Sequence, residues 1–445
     1  MSEPSAHKPP SARPRVLLIA EAANPLNISV SLIGWVHSQA LAAVANTHLV
    51  TEKRNREAIL ATGLPEKTFT SIDASAGQGL AYKIALRLRG GATLGWTINS
   101  ALYTLSYPLF EYKVWRHFRE RLRRGEFDLV HRLTPLSPTN PSLLARKCAK
   151  LGIPFIIGPL NGGLPWPKGF GDIQRKEKEW LGHARDFYKL IPGYRSTRKF
   201  SRAIMIASRS TWEQMPARYH DKCIYLPENG IVSERFANPV QHSHTLPLKV
   251  AFTGRLVPFK GADMLLEAAA PLIRDGKVVL DIIGDGPEMP RLKEFVAKEN
   301  LSAGVKLDGW VEHTRVHERL GQSDVFAFPS IREFGGAVVI EAMALGLVPI
   351  VVNYGGPGES VSPATGFAIP LGTRAEIIQR LRQSLAELVA HTKHLHEMSE
   401  RAREHALHYF TWEAKAKQVL EVYRWVLGQR ADKPDFGMPF PDIGK

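Results

Sequence analysis

Short apolar runs that alternate with helical segments constrain the fold of this chain more than any other feature. The first run covers residues 15–21, a helical pattern follows at 30–44, and a second run covers 47–51. Runs this short, rich in Val, Ile and Leu, are typical of buried parallel strands. Strand, helix and strand in that order predict a right-handed βαβ unit. The pattern starts again at residues 248–254, so we expect an α/β protein with two Rossmann-like, doubly wound sheets.

The chain is long enough for more than one domain, and a polar, proline-containing stretch divides the two series of strands. With 445 residues, two or three domains of ordinary size are expected. We place the linker where the polar stretch follows the last strand of the first series. The predicted parts are a disordered tail at 1–14, a first domain at 15–228, a linker at 229–247, a second domain at 248–410, a final helix at 411–430 and a tail at 431–445.

A strand–loop–helix–strand unit in the second series carries the strongest functional signal. Residues 325–328 and 348–352 are predicted strands, and residues 337–345 are a predicted helix opened by Gly335 and Gly336. The backbone N–H groups of Gly335, Gly336 and Ala337 would face an open helix N-terminus. Such a terminus favours a bound anion, because its amides lack partners and the helix dipole is positive there.

Two carboxylates flank this predicted anion site. Glu333 precedes the helix and Glu341 lies about one turn inside it, eight positions later. A carboxylate close to a phosphate is electrostatically costly, so a hydroxyl group is the better target for each. Phosphate together with hydroxyls indicates a sugar nucleotide. The structural alternative is a surface glutamate followed by a helix glutamate that forms a salt bridge.

The pair resembles the E-x7-E motif of retaining glycosyltransferases of the GT-B fold, the GT4-like family (glycosyl transferases group 1). The resemblance implies that Glu333 meets the donor sugar and that Glu341 binds the nucleotide ribose. The segment GRLVPFKG is similar to the family's G-R-x-x-x-x-K-G, in which Arg255 and Lys260 would hold the donor diphosphate. One departure is Glu333-Phe334-Gly335-Gly336, where the family usually has Glu-Gly-Phe-Gly.

The same resemblance implies how the parts would cooperate. The first domain would bind the acceptor, the second would bind the donor, and the 411–430 helix would cross back to the first domain. Glu333 and His131 are the candidate catalytic residues. Relatives often place the histidine two positions later, where this chain has Leu133. His131 is therefore either a shifted functional residue or a strand-end histidine with a structural hydrogen bond.

We expect a hexosyltransferase that uses a nucleotide-diphosphate sugar as donor, a glycan or lipid-linked molecule as acceptor, and no cofactor or metal ion. Two alternatives stay open. One is a GT-B enzyme of other chemistry, such as an epimerase or a phosphorylase. The other is a non-catalytic basic protein that binds a membrane surface.

Charge raises the question of an anionic partner. The formal net charge is +15, and residues 83–124 interleave cations with aromatic side chains. This tract suits an amphipathic helix pair with a solvated basic face, a segment lying on anionic lipid, or a nucleic-acid patch. No nucleic-acid recognition module accompanies it, so nucleic acid is not an expected partner. We expect a cytoplasmic protein, with peripheral contact at the inner membrane face as a further hypothesis.

Overall fold

The computed structural model describes residues 13–75, 96–176, 189–238, 242 and 245–438. Within them lie two all-parallel sheets, of seven and six strands. The first sheet has the order β3-β2-β1-β4-β5-β6-β7. Its strands are β1 Arg15–Ala20, β2 Asn46–Glu52, β3 Phe69–Ile72, β4 Leu129–Thr134, β5 Phe155–Leu160, β6 Ala203–Ile206 and β7 Cys223–Tyr225.

The second sheet has the order β10-β9-β8-β11-β12-β13. Its strands are β8 Leu248–Thr253, β9 Val278–Ile283, β10 Val305–Gly309, β11 Val325–Phe328, β12 Val348–Val352 and β13 Phe367–Ile369. The central strands are buried on both faces, as continuous runs of Val, Ile, Leu and Phe require. The prediction of two doubly wound parallel sheets is confirmed.

Helices cover both faces of each sheet. In the first half they are α1 Val30–Val44, α2 Arg56–Leu60, α3 Trp96–Arg123, α4 Leu144–Lys150, α5 Gly171–Lys176, α6 Tyr194–Phe200 and α7 Arg209–Glu213. In the second half they are α8 Ala262–Arg274, α9 Met289–Lys298, α10 His313–Leu320, α11 Ala337–Ala344, α12 Gly356–Ser360, α13 Arg374–Ala390, α14 Thr392–Phe410 and α15 Trp412–Val426. Short 3₁₀ turns occupy Lys53–Asn55, Glu66–Thr68, Ala217–Lys222, Ser233–Phe236 and Pro258–Lys260.

The strand order determines where a ligand can bind. In the second sheet, β8 and β11 are neighbours, and the chain proceeds outward from them in opposite directions. Loops that leave such adjacent strands at their carboxyl ends separate and open a crevice. Arg255 follows β8 and Glu333 follows β11, so the topology brings the two loops to one edge of the sheet.

The last helix, α15, packs on the first sheet although it follows the second. Its apolar face, including Ala416, Val419 and Tyr423, shares a core with β1 and α1. Thr411 caps the helix by accepting from the Ala414 N–H, and Ile231 forms a backbone bridge with Thr411. The expected return of this helix to the first half is therefore present. The numerical domain limits stay a prediction.

The basic and aromatic tract is partly visible as α3. Its buried face comprises Tyr107, Phe110, Val114, Phe118 and Leu122, at helical spacing, and these side chains enter the core under the first sheet. Several of its outward cations pair with acids of the same segment, as in the contacts of Arg121 with Glu126 and Arg123 with Glu120. The described part of the tract is therefore an amphipathic helix with a solvated charged face.

Other predicted segments fall outside the described residues. They are residues 1–12, the part of the basic tract with Lys83, Arg87 and Arg89, portions of the linker, and residues 439–445. In the part of the chain that the structure covers, no helix combines the length and the apolar character that crossing a bilayer requires.

Lys415 of α15 makes a testable contribution to stability. It is fully buried, its ammonium donates to the carbonyl of Pro227 at 2.6 Å, and burial lowers its pKa from 10.5 to about 7. Between those two values the unfolded chain keeps the proton and the folded chain does not, so stability rises with pH. The slope is up to ~1.4 kcal/mol per pH unit. We expect Lys415→Met to flatten this rise in denaturant titrations between pH 7 and 10.

The exposed neighbour Lys417 supplies the control, since Lys417→Met removes the same charge from solvent. This control should keep the rise. An unchanged slope in Lys415→Met would show that another group is responsible.

Candidate functional site

The site begins at the N-terminus of α11, at the carboxyl edge of the second sheet. Gly336 caps the helix with a left-handed backbone (φ 65°), and Ala337 is its first residue. This conformation suits glycine, because a Cβ would clash in it. The first amides of a helix have no partner within the helix, so the N–H groups from Gly335 to Ala337 provide donors for an anion.

Lys260 and Glu333 meet beside this helix N-terminus. Lys260 ends the turn Pro258–Lys260, and its ammonium forms an ion pair with the carboxylate of Glu333. The two side chains are only 14% and 22% exposed. The ammonium also lies 5.0 Å from the centroid of the Phe328 ring. The ion pair holds a cation in place next to the anion donors, in a position where a diphosphate could exchange for the carboxylate.

The two remaining donor-site candidates occupy the same edge of the sheet. Arg255 is exposed just after β8, and within the described ranges no carboxylate lies at ion-pair distance from it. Glu341, in the second turn of α11, lies 3.4 Å from Nε2 of His317. His317 comes from α10, and its ring packs against Phe236 at 5.4 Å. His317 carries no local sequence signal for this contact, since only the tertiary fold brings α10 next to α11.

His131 lies elsewhere, inside the first half. The sequence placed it at the end of a strand, which was incorrect: β4 continues to Thr134, so His131 is in mid-strand with no exposed surface. The Tyr423 hydroxyl donates to Nδ1 at 2.7 Å, and Nε2–H donates to the carbonyl of Gly158 at 2.8 Å. Burial lowers the pKa of His131 to about 4, which keeps the ring neutral.

Because both ring nitrogens of His131 are occupied, neither is available to a substrate in this conformation. The geometry gives the ring a structural task, which is to join β4 to the last helix through Tyr423. The structure brings Lys260, Glu333 and the amides of Gly335–Ala337 together, with Arg255 and Glu341 on the same edge. His131 is not part of that group.

A loop that ends the first half reaches the same place. Glu228, which interrupts the turn Pro227-Glu228-Asn229-Gly230, is buried and accepts from Nδ2 of Asn161 at 2.6 Å. Burial raises its pKa, and nearby Glu333 raises it further. Both Glu228 and Asn229 lie directly against Gly335. A sequence signal existed, because this turn places a glutamate between Pro227 and the Asn229-Gly230 pair.

Three further contacts join the halves around the site. The hydroxyl of Tyr354 donates to the carbonyl of Pro165 at 2.8 Å, and the guanidinium of Arg332 lies 4.7 Å from the Trp166 ring centroid. Glu359 accepts from the Arg209 N–H at 3.0 Å, and burial raises its pKa to about 7. The glycine- and proline-rich loop around Trp166 thus contacts the second half beside Glu333.

Gly335 offers a test of this close approach. A Cβ at Gly335 would lie 2.0 Å from Nδ2 of Asn229 and 2.3 Å from Oε1 of Glu228. Both side chains are buried, so the loop itself would have to move, at a typical cost of about 1–3 kcal/mol. We expect Gly335→Ala to lower kcat/KM at least tenfold and to lower the melting temperature.

Gly171 provides the matched control for this substitution. A Cβ there meets nothing within 4 Å, so Gly171→Ala should leave both measurements unchanged. Equal behaviour of the two variants would contradict the proposed role of close packing at Gly335.

Known proteins share sequence or fold with this chain. A family model described as "Glycosyl transferases group 1" matches residues 235–405, which include Lys260, Glu333 and Glu341. The chain is 26% identical over 292 residues to a GDP-mannose-dependent monoacylated alpha-(1-6)-phosphatidylinositol monomannoside mannosyltransferase of Corynebacterium glutamicum, covering 63% of this chain and 73% of that one.

Other similarities are shorter in sequence or concern the fold. The chain is 36% identical over 184 residues to a D-inositol 3-phosphate glycosyltransferase of Rhodococcus opacus, spanning 39% of this chain and 40% of the length of that relative. A solved glycosyltransferase from Rickettsia africae superposes with a TM-score of 0.60 at 14% identity, covering 94% of this chain and all of that one. At this identity, the superposition establishes the two-sheet fold.

Proposed function

We propose that the chain is a member of the group 1 glycosyl transferases with the GT-B fold and that it transfers a sugar from a nucleotide-diphosphate donor to a lipid-linked or glycan acceptor with retention of configuration. The observation that carries the proposal is the ion pair of Lys260 and Glu333 at the glycine-opened N-terminus of α11. In this arrangement a cation, helix amides and a carboxylate would lie within reach of one diphosphate sugar.

The proposed roles of the site residues follow from the charge that develops during sugar transfer. When the glycosidic bond breaks, the departing nucleoside diphosphate accumulates negative charge. Fixed donors that face this charge stabilise the transition state without reorganising. Lys260, Arg255 and the amides of Gly335, Gly336 and Ala337 would supply that stabilisation. Glu333, released from Lys260 by the incoming diphosphate, would hold the sugar hydroxyls, and Glu341 the ribose.

The nature of the acceptor is suggested by a relative. The Corynebacterium protein is named for GDP-mannose and for a phosphatidylinositol mannoside. GDP-mannose is therefore the first donor to examine, and a lipid-linked acceptor the first class. The two alternative functions, an epimerase or phosphorylase and a non-catalytic membrane binder, fit the comparisons less well than sugar transfer does. We also propose that the protein is cytoplasmic, with peripheral contact at the inner membrane face.

A panel of nucleotide sugars tests the proposal. The full-length protein is incubated with GDP-, UDP- and ADP-sugars, and release of nucleoside diphosphate is measured with and without candidate acceptors. We expect one donor to be consumed faster than the others, and the anomeric configuration of the product, read by NMR, to match that of the donor. Release of no nucleotide from any donor, or an inverted product, would contradict the proposal.

The same assay tests the proposed independence from metal ions. If Lys260, Arg255 and the helix amides neutralise the diphosphate, EDTA should change the turnover rate less than twofold. A loss of activity that added Mg²⁺ or Mn²⁺ restores would show that a metal ion carries this task.

A further inference from the structure

A cavity of about 890 Å³ lies outside the donor site, on the outer surface of the first half. It runs between α4 (Leu144–Lys150) and the segment that leads into α6 (Tyr194–Phe200). Five of its lining residues carry a positive charge: Arg146, Lys147, Lys150, Lys189 and Arg195. Neither the donor chemistry nor the contacts between the halves use this cavity.

Four of these cations form no salt bridge in the part of the chain that the structure describes. Among the residues that the structure describes, no carboxylate lies at ion-pair distance from Arg146, Lys147, Lys150 or Arg195. The outward cations of α3 differ, since Arg121 and Arg123 are paired with glutamates. A concave surface that gathers like charges raises the local concentration of counter-ions and therefore favours an anionic ligand.

Lys147 shows how the cavity wall holds a cation. Its ammonium lies 5.0 Å from the centroid of the Trp115 ring of α3, and partial burial lowers its pKa. The nearby carboxylate of Glu111 acts in the opposite direction and raises the pKa of Lys147. Glu111 is fully buried in the protein interior. Glu111 already accepts from the hydroxyls of Tyr107 and Ser142 and from the N–H of Leu143. The ammonium thus remains open to a ligand in the cavity.

The rim of the cavity is apolar. Leu143 is 46% exposed and Leu190 is 72% exposed, and both line the cavity beside the cations, as does Ile191. Cations alone would suit any soluble anion. Cations next to exposed leucines suit an amphiphile, because its charged head group can bind the cations while its hydrocarbon chain contacts the leucines.

We infer that this cavity binds the phosphate-bearing head group of an anionic membrane lipid, with its acyl chains against Leu143 and Leu190. The inference extends the proposed function, since it assigns the surface that holds the enzyme at the membrane where a lipid-linked acceptor would reside. The inference depends on the proposed function in one respect, which is that the acceptor is linked to a lipid. Trp115 joins α3 to the wall of the cavity through its contact with Lys147.

Vesicle flotation of the full-length protein tests this inference. The vesicles contain phosphatidylcholine alone or phosphatidylcholine with phosphatidylglycerol, at low salt. We expect the protein to bind only the phosphatidylglycerol vesicles. The double variant Arg146→Gln/Lys150→Gln should bind them roughly 30-fold more weakly. The control Lys293→Gln/Lys298→Gln removes the same charge from two exposed lysines of α9 and should change binding less than threefold.

Two further measurements separate the lipid from other sources of phosphate and from sugar transfer. Leu190→Ser should weaken vesicle binding without changing the charge, and inorganic phosphate or glycerol 3-phosphate alone should not raise the melting temperature. Equal loss of binding in the α9 control, or binding of soluble phosphate without vesicle binding, would overturn the inference. Release of nucleotide from a soluble donor should be the same in all these variants, so a failed donor assay would count against the proposed function alone.

Discussion

Glu333→Ala is expected to keep the fold of the protein and to lower kcat for sugar transfer by a factor of about 10²–10³, the range typical of losing one positioned group in an active site. The carboxylate is held at the helix N-terminus by Lys260, and in the proposed function it orients the donor sugar. Its removal should affect kcat more than the affinity for nucleoside diphosphate, because Lys260 stays free to bind the diphosphate. Steady-state kinetics and calorimetric titration with the nucleoside diphosphate separate the two effects.

An exposed glutamate of α10 provides the control for this variant. Glu318→Ala removes the same group from the solvent-facing side of the helix that carries His317. It should leave kcat unchanged. If Glu333→Ala transfers sugar at the wild-type rate, the assignment of the site is incorrect, whatever the fold shows.

Lys260→Met should produce a loss of similar size but of a different kind. Methionine preserves much of the apolar stem that packs near Phe328 and removes the charge. The departing diphosphate then loses a fixed cation, so kcat/KM should fall by about 10²–10³. In this variant the affinity for the nucleoside diphosphate should fall as well, because Glu333 is left unpaired and repels the phosphates. Lys298→Met, at an exposed position of α9, is the control and should bind and turn over normally.

The double variant Glu333→Ala/Lys260→Met tests whether the two residues act as one unit. Residues in direct contact give strongly non-additive effects in a double-mutant cycle. We expect the double variant to be little worse than the more severe single variant. Additive losses would show that Lys260 and Glu333 act independently of each other on the bound donor.

Much of the fold could be predicted because its elements carry local signals. The runs at β8, β11 and β12 are short and apolar, and structure and prediction agree closely there. Weaker signals were missed or misjudged. The strand β3 has only two apolar residues in four, and β4 continues past His131 because Arg132 and Thr134 are buried by contacts from elsewhere. A polar residue inside a buried strand cannot be recognised without the partner that satisfies it.

The amino-acid sequence by itself determined the series of strands and helices, the glycine-opened helix at Gly336 and the spacing of Glu333 and Glu341, because turn chemistry and apolar periodicity act over a few neighbouring residues. Only the tertiary structure decided which distant groups meet: Lys260 with Glu333, Glu228 with Gly335, His317 with Glu341, and His131 with Tyr423 instead of with a substrate. The physical reason is that each contact joins separate elements. Whether they touch depends on strand order and on the return of α15, which no local pattern encodes.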